Sequence, residues 1–340
     1  MKRRPLRAIV LILLALASWA WAQVPPAPEG TFTVVAIGDT QNYADTSPET
    51  FEAITQWIVN NREAQRIVFV SHQGDIVNAP GERREWENAH RAMNTLHGVL
   101  PYGLSVGNHD MSGRTGEKPL YEEFFGRERY EGFEWYGGSP DNNGNSYQLI
   151  SAEGVDLVFV HLECNAPDEV LAWAGLVLDL HRDRRAIVTT HMYLGPLERP
   201  ADNTGYFADP KGRMRWVKCH GERGNSPQDI WDELISRHPN VFLVLAGDQS
   251  RTQAMRMQSV GIHGNTVDEL LCDIRQGYFR LMRFVPAEGR IEVRTFSPTL
   301  GQLCGGTGYV PDIAQHQFSL QCDLTGPVPT RDAEAAAPRN

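Results

Sequence analysis

Four hydrophobic runs along the chain end at a glycine that is followed by a polar residue. Three continue with aspartate, in the segments VVAIGDT (34–40), VFVSHQGDI (68–76) and VLAGDQSR (244–251), and the fourth, LSVGNHD (104–110), continues with Asn-His-Asp. Short apolar runs bounded by glycine are typical of buried β-strands. The pattern therefore predicts strands that each present a polar side chain at the carboxyl end.

Helical spacing of apolar residues separates many of these strands. Helices are predicted from residue 47 onward and over residues 84–97, 168–181 and 227–237. Further strands are predicted at residues 31–37, 67–71, 102–106, 146–151, 155–162, 186–190, 241–246, 277–286 and 289–298. The first strands alternate with helices and the last pair forms a hairpin. This order predicts an α/β sandwich of two mixed β-sheets flanked by helices.

The two ends of the chain differ in composition from its middle. Residues 1–22 combine a basic start, a short apolar run and an Ala-Trp-Ala site, which predicts a signal peptide cleaved after Ala22 and an exported protein, periplasmic or secreted. The apolar run is short for a bilayer span, so no stable membrane span is expected after cleavage. Residues 23–30 are predicted to be a linker, residues 31–323 the folded domain, and residues 324–340 a disordered tail.

The charge of the chain argues against one class of partner. Without residues 1–22 the chain has 28 basic and 42 acidic side chains, a formal charge of −14. Such a surface repels nucleic-acid backbones, so no nucleic-acid polymer is expected as a partner.

Export would permit disulfides, and of the five cysteines Cys304 and Cys322 are predicted to pair, since both lie in a glycine-rich C-terminal region.

Five metal-competent side chains follow five of the predicted strands. They are Asp39, Asp75, Asn108, His191 and Asp248. Ligands in α/β folds gather beyond the carboxyl ends of strands, so these side chains are expected to meet in one cleft. Each alone is more typical of a turn or a helix cap, whereas their joint occurrence indicates a metal site.

The order and types of these residues resemble the calcineurin-like metallophosphoesterase family. The resemblance is most specific in GDIVN (74–78) and SVGNHD (105–110). It implies a metallophosphoesterase-type sandwich that binds divalent metal ions and hydrolyses phosphate esters. A non-catalytic binding protein with one structural cation remains an alternative, as does a calcium-stabilised protein that binds carbohydrate.

The resemblance also implies which residues bind metal. Asp75 corresponds to the carboxylate that bridges two metals, Asn108 and His191 to ligands of one metal, and Asp39 to a ligand of the other. Asp248 would complete the site of Asn108 and His191.

Two of the metal motifs depart from the pattern of the family. Gln41 and Ser250 stand where the first metal would have imidazole ligands, and Asp248 replaces an imidazole of the second. Gln41 is therefore expected to bind through its amide oxygen. Oxygen-rich sites favour Mn²⁺ or Mg²⁺, while Ca²⁺, Zn²⁺ and iron remain open, and one or two ions per chain are expected.

Catalytic and substrate-binding residues are expected next to the metals. His109 corresponds to the general acid, or transition-state-stabilising histidine, of the family and Asp110 to the acid that orients its imidazole. Arg251 and, in the basic insertion at residues 194–226, Arg213 and Arg215 are candidates for binding the phosphate of a small substrate. A solvated surface loop explains the insertion equally well. The predicted function is an exported metal-dependent phosphoesterase acting on a phosphate mono- or diester.

Overall fold

Two mixed β-sheets lie face to face in the computed structural model, which describes residues 24–195, 199, 217–249 and 251–329. Among these residues the first sheet has seven strands. Its spatial order is β13 (Gln302–Leu303), β12 (Arg290–Ser297), β11 (Phe279–Val285), β1 (Phe32–Ile37), β2 (Ile67–His72) and β3 (Tyr102–Leu104), with β14 (Gln317–Gln321) also paired to β12. Strands β1, β2 and β3 run parallel, and β11 pairs with β1 in antiparallel orientation.

The second sheet also has seven strands within the described part of the chain. Its spatial order is β4 (Tyr136–Gly138), β5 (Ser146–Ala152), β6 (Val155–His161), β7 (Arg185–Thr189), β8 (Val241–Ala246), β10 (Thr266–Cys272) and β9 (Ala254–Val260). Strands β6, β7, β8 and β10 run parallel, while β5 and β9 are antiparallel to their neighbours. The α/β fold class predicted from the sequence, a sandwich of two mixed sheets, is confirmed.

Helices cover the outer faces of both sheets. They are α1 (Gln41–Thr46), α2 (Pro48–Asn60), α3 (Arg83–Asn94), α4 (Pro119–Phe125), α5 (Asp168–Leu180), the one-turn helix α6 (Val217–His220) and α7 (Pro227–Glu233). Helices α1 to α4 pack on the first sheet, and α5 and α7 pack on the second. None of the helices in the described ranges is both long enough and apolar enough to cross a membrane.

Strand β1 shows why the predicted strands are continuous runs of apolar residues and do not alternate with polar ones. Val34 and Ala36 point into the core between the two sheets, whereas Val35 and Ile37 point toward the helices. A strand covered on both faces needs apolar side chains on both. Between the sheets, Phe69 of β2 stacks on Phe159 of β6 with ring centroids 3.9 Å apart, which fixes the two sheets against each other.

The sequence pattern does not predict strands β9 and β10. β9 (AMRMQSV) alternates half-buried and exposed residues after its buried first residue, and Arg256 and Gln258 lie on the exposed face. β10 (TVDELLC) carries two acids, Asp268 and Glu269, that burial and hydrogen bonds accommodate in the sheet. The acids inside β10 interrupt its apolar pattern, so the sequence did not predict this strand, whose carboxyl end contributes to the site described below.

The chain on either side of the domain is packed more closely than predicted. The predicted linker at 23–30 docks on the body, because Val24 is 5% exposed and Ala27 N donates to Ala64 O at 2.8 Å. Leu324, at the start of the predicted tail, is 3% exposed in the core between the sheets. The signal peptide predicted at residues 1–22 and the chain beyond residue 329 lie outside the described residues.

The predicted pairing of Cys304 with Cys322 is wrong. Cys304 N donates to Thr295 O, and Cys322 N donates to Gly289 O, each at 2.8 Å. Thr295 and Gly289 lie at opposite ends of β12, roughly 20 Å apart at about 3.3 Å per residue. A disulfide needs Cα atoms within about 7 Å, so the two thiols cannot join in this fold.

Candidate metal centre

The carboxyl ends of parallel strands from both sheets meet at one edge of the sandwich. Asp39 follows β1 and Asp75 follows β2 in the first sheet, while His191 follows β7 and Asp248 follows β8 in the second. Ligand atoms of Asp39, Asp75 and His191 lie within 4.8 Å of one another. Side chains more than 100 positions apart in the sequence are thus brought together, as the strand-end pattern predicts.

Asp75 and His191 form the centre of this group. His191 Nε2 lies 3.1 Å from Asp75 Oδ1 and 3.8 Å from Asp248 Oδ1. His191 Nδ1 donates to the carbonyl of Gln73 at 2.7 Å, so Nε2 is the ring nitrogen that faces the carboxylates. A second contact of this kind is what holds a metal-ligating imidazole in place.

Asp39 and Asp248 close the other side of the group. The backbone N–H of Asp248 lies 3.3 Å from both carboxylate oxygens of Asp39. The side-chain amide of Asn108 lies next to Asp248, and in the orientation that satisfies both of its ends the nitrogen donates to Asp248 Oδ1 at 2.8 Å. The amide oxygen then accepts from Lys218 Nζ at 2.7 Å.

The glycines of the sequence pattern allow this close approach. A Cβ on Gly107 would lie 2.1 Å from Asp75 N, and a Cβ on Gly247 would lie 2.4 Å from Asp39 Oδ1. Any side chain at either position would push the strand ends apart. Asp75 and Asp248 themselves adopt positive φ angles of 50° and 67°, a strained conformation that clusters at functional sites.

The electrostatics of the group indicate an excess of negative charge. Burial, reinforced by neighbouring carboxylates, raises the pKa of Asp248 to about 7 and that of Asp39 well above its usual value. Burial also acts on Asp75, but the His191 imidazole outweighs it and lowers the pKa of Asp75 to about 2. Burial opposes the protonation of His191, yet Asp75 and Asp39 raise its pKa well above the usual range. One imidazole therefore balances several buried carboxylates, and a divalent cation would relieve their repulsion.

A further observation fits a cation here. Gln41 Oε1 is buried and has no hydrogen-bond partner among the described residues. Such an orphaned amide oxygen at the start of α1, two residues after Asp39, is the donor type that Mg²⁺, Mn²⁺ and Ca²⁺ accept. The residues present therefore fit a cation held by carboxylates, one imidazole and amide oxygens.

His109 and Asp110 have separate roles in the structure. His109 N donates to Asp75 Oδ1 at 2.8 Å, and its Nδ1 donates to the carbonyl of Asn78 at 2.7 Å, so Nε2 is the ring nitrogen left for a ligand. Asp110 accepts from three backbone N–H groups, those of Ile76, Val77 and Gly107. The imidazole is thus oriented by a carbonyl, and Asp110 fixes the loop that carries this carbonyl rather than touching the ring.

The structure adds Asp273 and Lys218 to the residues predicted from sequence. Asp273 directly follows β10 and hydrogen-bonds Asp39, and burial, with Asp75 adding to it, raises the pKa of Asp273 to about 6. The signal for Asp273 was the apolar run LLC followed by an acid, but no glycine separates the two. Lys218 lies in α6 at an exposed position beside Asn108. No spacing in the insertion distinguishes Lys218 from its other basic residues.

Of the three arginines predicted to bind phosphate, the structure describes one. Arg251 is exposed, three residues after Asp248. Arg213, Arg215 and Ser250 lie outside the described residues.

Comparison with known proteins points to one family. Residues 32–222 match the model of the family described as calcineurin-like phosphoesterase. The uncharacterized protein YvnB of Bacillus subtilis (strain 168) is 32% identical over 287 residues, which are 81% of this chain. The chain spans only 20% of the length of YvnB.

One solved structure with a similar fold is purple acid phosphatase PPD1 from yellow lupin (Lupinus luteus) seeds. Its TM-score is 0.52 at 14% identity, and the alignment covers 88% of this chain and 55% of the lupin chain. At this identity the likeness concerns the fold alone.

Proposed function

The chain belongs to the calcineurin-like phosphoesterase family, and on this premise we propose that it hydrolyses a phosphate mono- or diester with a divalent cation held by Asp39, Asp75 and His191. The observation that carries the proposal is the buried cluster itself. Its carboxylates, imidazole and orphaned Gln41 oxygen lie at the joined strand ends, and their charge is balanced best by a cation. A cation bound there supplies a Lewis acid that stabilises charge on the phosphoryl group and activates water for attack.

His109 is the residue placed to transfer a proton to the leaving group. Its Nδ1 is held by the Asn78 carbonyl and its backbone by Asp75, so the ring has little freedom to leave the site. Nε2, on the far side of the ring from Asn78, is the atom from which a proton would pass to a departing alkoxide. Geometry of this kind raises the rate because the acid is already oriented when the bond breaks.

Lys218 is placed to bind the phosphate group of the substrate. Its ammonium group lies 2.7 Å from the Asn108 amide oxygen and remains exposed, so it can contact an anion next to the cluster. Arg251, also exposed, would add a second contact from the β8 side. The cation favoured by so many oxygen donors is Mn²⁺ or Mg²⁺, and one or two ions per chain fit the available ligands.

Export is a separate part of the proposal. The basic start, apolar run and Ala-Trp-Ala site at residues 1–22 support cleavage after Ala22 and a periplasmic or secreted protein. N-terminal sequencing of protein recovered from the periplasm or medium tests it, and Gln23 is the expected first residue. Recovery of intact chain from the cytoplasm alone would contradict export without affecting the proposed chemistry.

The activity is tested on protein stripped of metal with a chelator. Mn²⁺ or Mg²⁺ should restore hydrolysis of an aryl phosphate mono- or diester, with Zn²⁺ and Ca²⁺ assayed in parallel. Asp75→Asn should lose both activity and bound metal, while Asp183→Asn, at an exposed position after α5, should keep both. Inactivity of the wild type with every cation, together with unchanged metal binding, would favour the non-catalytic alternative.

A further inference from the structure

Two buried cysteines lie together beside the metal centre, on segments far apart in the sequence. Cys164 follows β6 by three residues, and Cys219 is the third residue of α6. Their thiols are hydrogen-bonding partners, and both side chains belong to the apolar cluster that also contains Val106 and Met111. The two sulfur atoms are therefore close neighbours, unlike those of Cys304 and Cys322.

Several backbone contacts hold the two segments in this position. The His220 imidazole hydrogen-bonds the carbonyl of Cys164, and Asn165 Nδ2 donates to Asn225 O at 3.2 Å. Gly116 N donates to Cys219 O at 3.0 Å. The chain that follows Cys219 thus lies along the chain that follows Cys164, and both cysteines are free thiols in this structure.

We propose that Cys164 and Cys219 form a disulfide bond that fastens α6 to the end of β6. A small-molecule disulfide or a disulfide oxidoreductase is the oxidant. The Cys219 thiolate attacks it and forms a mixed disulfide, and the Cys164 thiolate then attacks the Cys219 sulfur and expels the second thiol of the oxidant. Two protein thiols are oxidised, one disulfide of the oxidant is reduced to two thiols, and the two protons pass to these thiols.

The bond would act on the part of the chain that borders the site. Lys218, the neighbour of Cys219, contacts Asn108, and Cys164 N donates to the carbonyl of Val106, two residues before Asn108. The cross-link would thus tie the lysine and the ligand loop to one another through their neighbours. It would also close a loop of chain that contains His191 and residues 194–218.

Arg199, another described residue of the insertion, is already anchored. Arg199 pairs with the buried carboxylate of Glu269 at 2.6 Å and stacks 4.1 Å over the ring of Trp231. A bond at Cys219 would anchor the opposite end, next to α6. Arg199 and Cys219 would then both be fixed to elements of the second sheet or of the helices that cover it.

Tryptic peptides test the pairing directly on the full chain. Cleavage after Arg129, Arg182, Lys218 and Arg223 places Cys164 alone in peptide 130–182 and Cys219 alone in peptide 219–223. Protein refolded with oxidised glutathione, or recovered from an oxidising compartment, is alkylated and digested without reductant. Joined peptides 130–182 and 219–223 are the expected result. Recovery of peptide 219–223 in alkylated form from the oxidised protein would overturn the proposal.

A second measurement distinguishes the bond from simple packing of two thiols. Reductant should lower the Tm of the oxidised wild type by about 5 to 10 °C, because the cross-link restricts the unfolded chain over a long loop. Cys219→Ala should show no such dependence on reductant, whereas Cys322→Ser, at a residue whose backbone N–H donates to Gly289 O at the far end of β12, should behave like the wild type. Equal Tm values of the wild type with and without reductant would count against the bond. Neither measurement depends on hydrolytic activity, so the proposed function can fail independently.

Discussion

The backbone N–H of His109 donates to Asp75 Oδ1 at 2.8 Å, the same oxygen that lies 3.1 Å from His191 Nε2. One carboxylate oxygen thus connects the loop after β3 with the strand end of β7 in the other sheet. The proposed acid and the proposed cation site are positioned by a single side chain. A change at Asp75 should therefore remove metal binding together with activity, whereas a change at His109 should remove proton transfer and leave metal binding intact.

Asp75→Asn should reduce bound metal to less than half and lower activity by about 10²-fold or more, since loss of even an outer-shell partner typically costs 10- to 100-fold. The amide lacks the negative charge of Asp75 at the centre of the cluster. That charge attracts the cation and balances the charge of His191. Elemental analysis and hydrolysis of an aryl phosphate measure the two effects. Retention of full metal content would show that the cation lies elsewhere.

His109→Gln should lower kcat by about 10²- to 10⁴-fold for an alkyl phosphate while metal content stays unchanged. The loss should be smaller for an aryl phosphate, because a good leaving group departs with less need of a proton. Steady-state rates with the two ester types, measured on the same metal-loaded protein, give the ratio. Equal losses for both types would argue against proton transfer by this imidazole.

Gly107→Ala should weaken metal binding without any change in a ligand. The added Cβ would lie 2.1 Å from the backbone nitrogen of Asp75, so the strand ends must separate. Gly81→Ala is the matched control, since a Cβ at residue 81 meets nothing within 4 Å. Titration of metal-free protein with Mn²⁺ should give a Kd at least about tenfold higher for the first variant only. Equal Kd values for the two variants would contradict the strand-end argument.

The stability of the protein should depend on pH through His161. Burial lowers the pKa of His161 to about 3, while its ring accepts or donates one hydrogen bond with Ser71 Oγ at 2.9 Å. The folded state resists a proton that the unfolded state binds near pH 6.5, so stability present at pH 7 is lost as pH falls from about 6.5 toward 3.

A substitution isolates this contribution from that of the carboxylates. The destabilisation caused by His161→Asn should shrink by about 2 kcal/mol between pH 7 and pH 5, because only the wild type loses the histidine contribution. Urea unfolding in the presence of a chelator measures the two free energies of unfolding at each pH. A difference that is independent of pH would mean that His161 binds a proton as readily in the folded state as in the unfolded state.

The sequence predicted those parts of the site that one strand and its next residues determine. Asp39, Asp75, His191 and Asp248 were found because an apolar run ended at each of them, and the glycine requirement at Gly107 and Gly247 is local in the same sense. Asp273 escaped because acids inside β10 broke its apolar pattern. Contacts that depend on packing between distant segments left no such local signal.

Cysteine pairing and the role of Asp110 illustrate this limit. Cys304 and Cys322 share a glycine-rich region, yet β12 holds them far apart, while Cys164 and Cys219 meet across 54 intervening residues. Asp110 stands next to His109 in the chain, yet its oxygens accept from the backbone of Ile76 and Val77 in another loop as well as from Gly107 in its own. Proximity in sequence was a poor guide in both cases, because the sheet order decides which loops meet.

Lys218 and Arg251 offer a direct comparison of two cations near the cluster. Lys218 Nζ lies 2.7 Å from Asn108, whose nitrogen contacts Asp248, so an anion bound at the cluster would lie within reach of the ammonium group. Lys218→Ala should raise the inhibition constant of inorganic phosphate by about 10- to 100-fold, the range expected from loss of one hydrogen bond to a charged group. Lys218→Arg should recover part of the affinity because the charge is retained. Arg251→Ala, assayed in parallel, measures the contribution from the β8 side. An unchanged inhibition constant for Lys218→Ala, with metal content equal to that of the wild type, would place the phosphate on another face of the cluster.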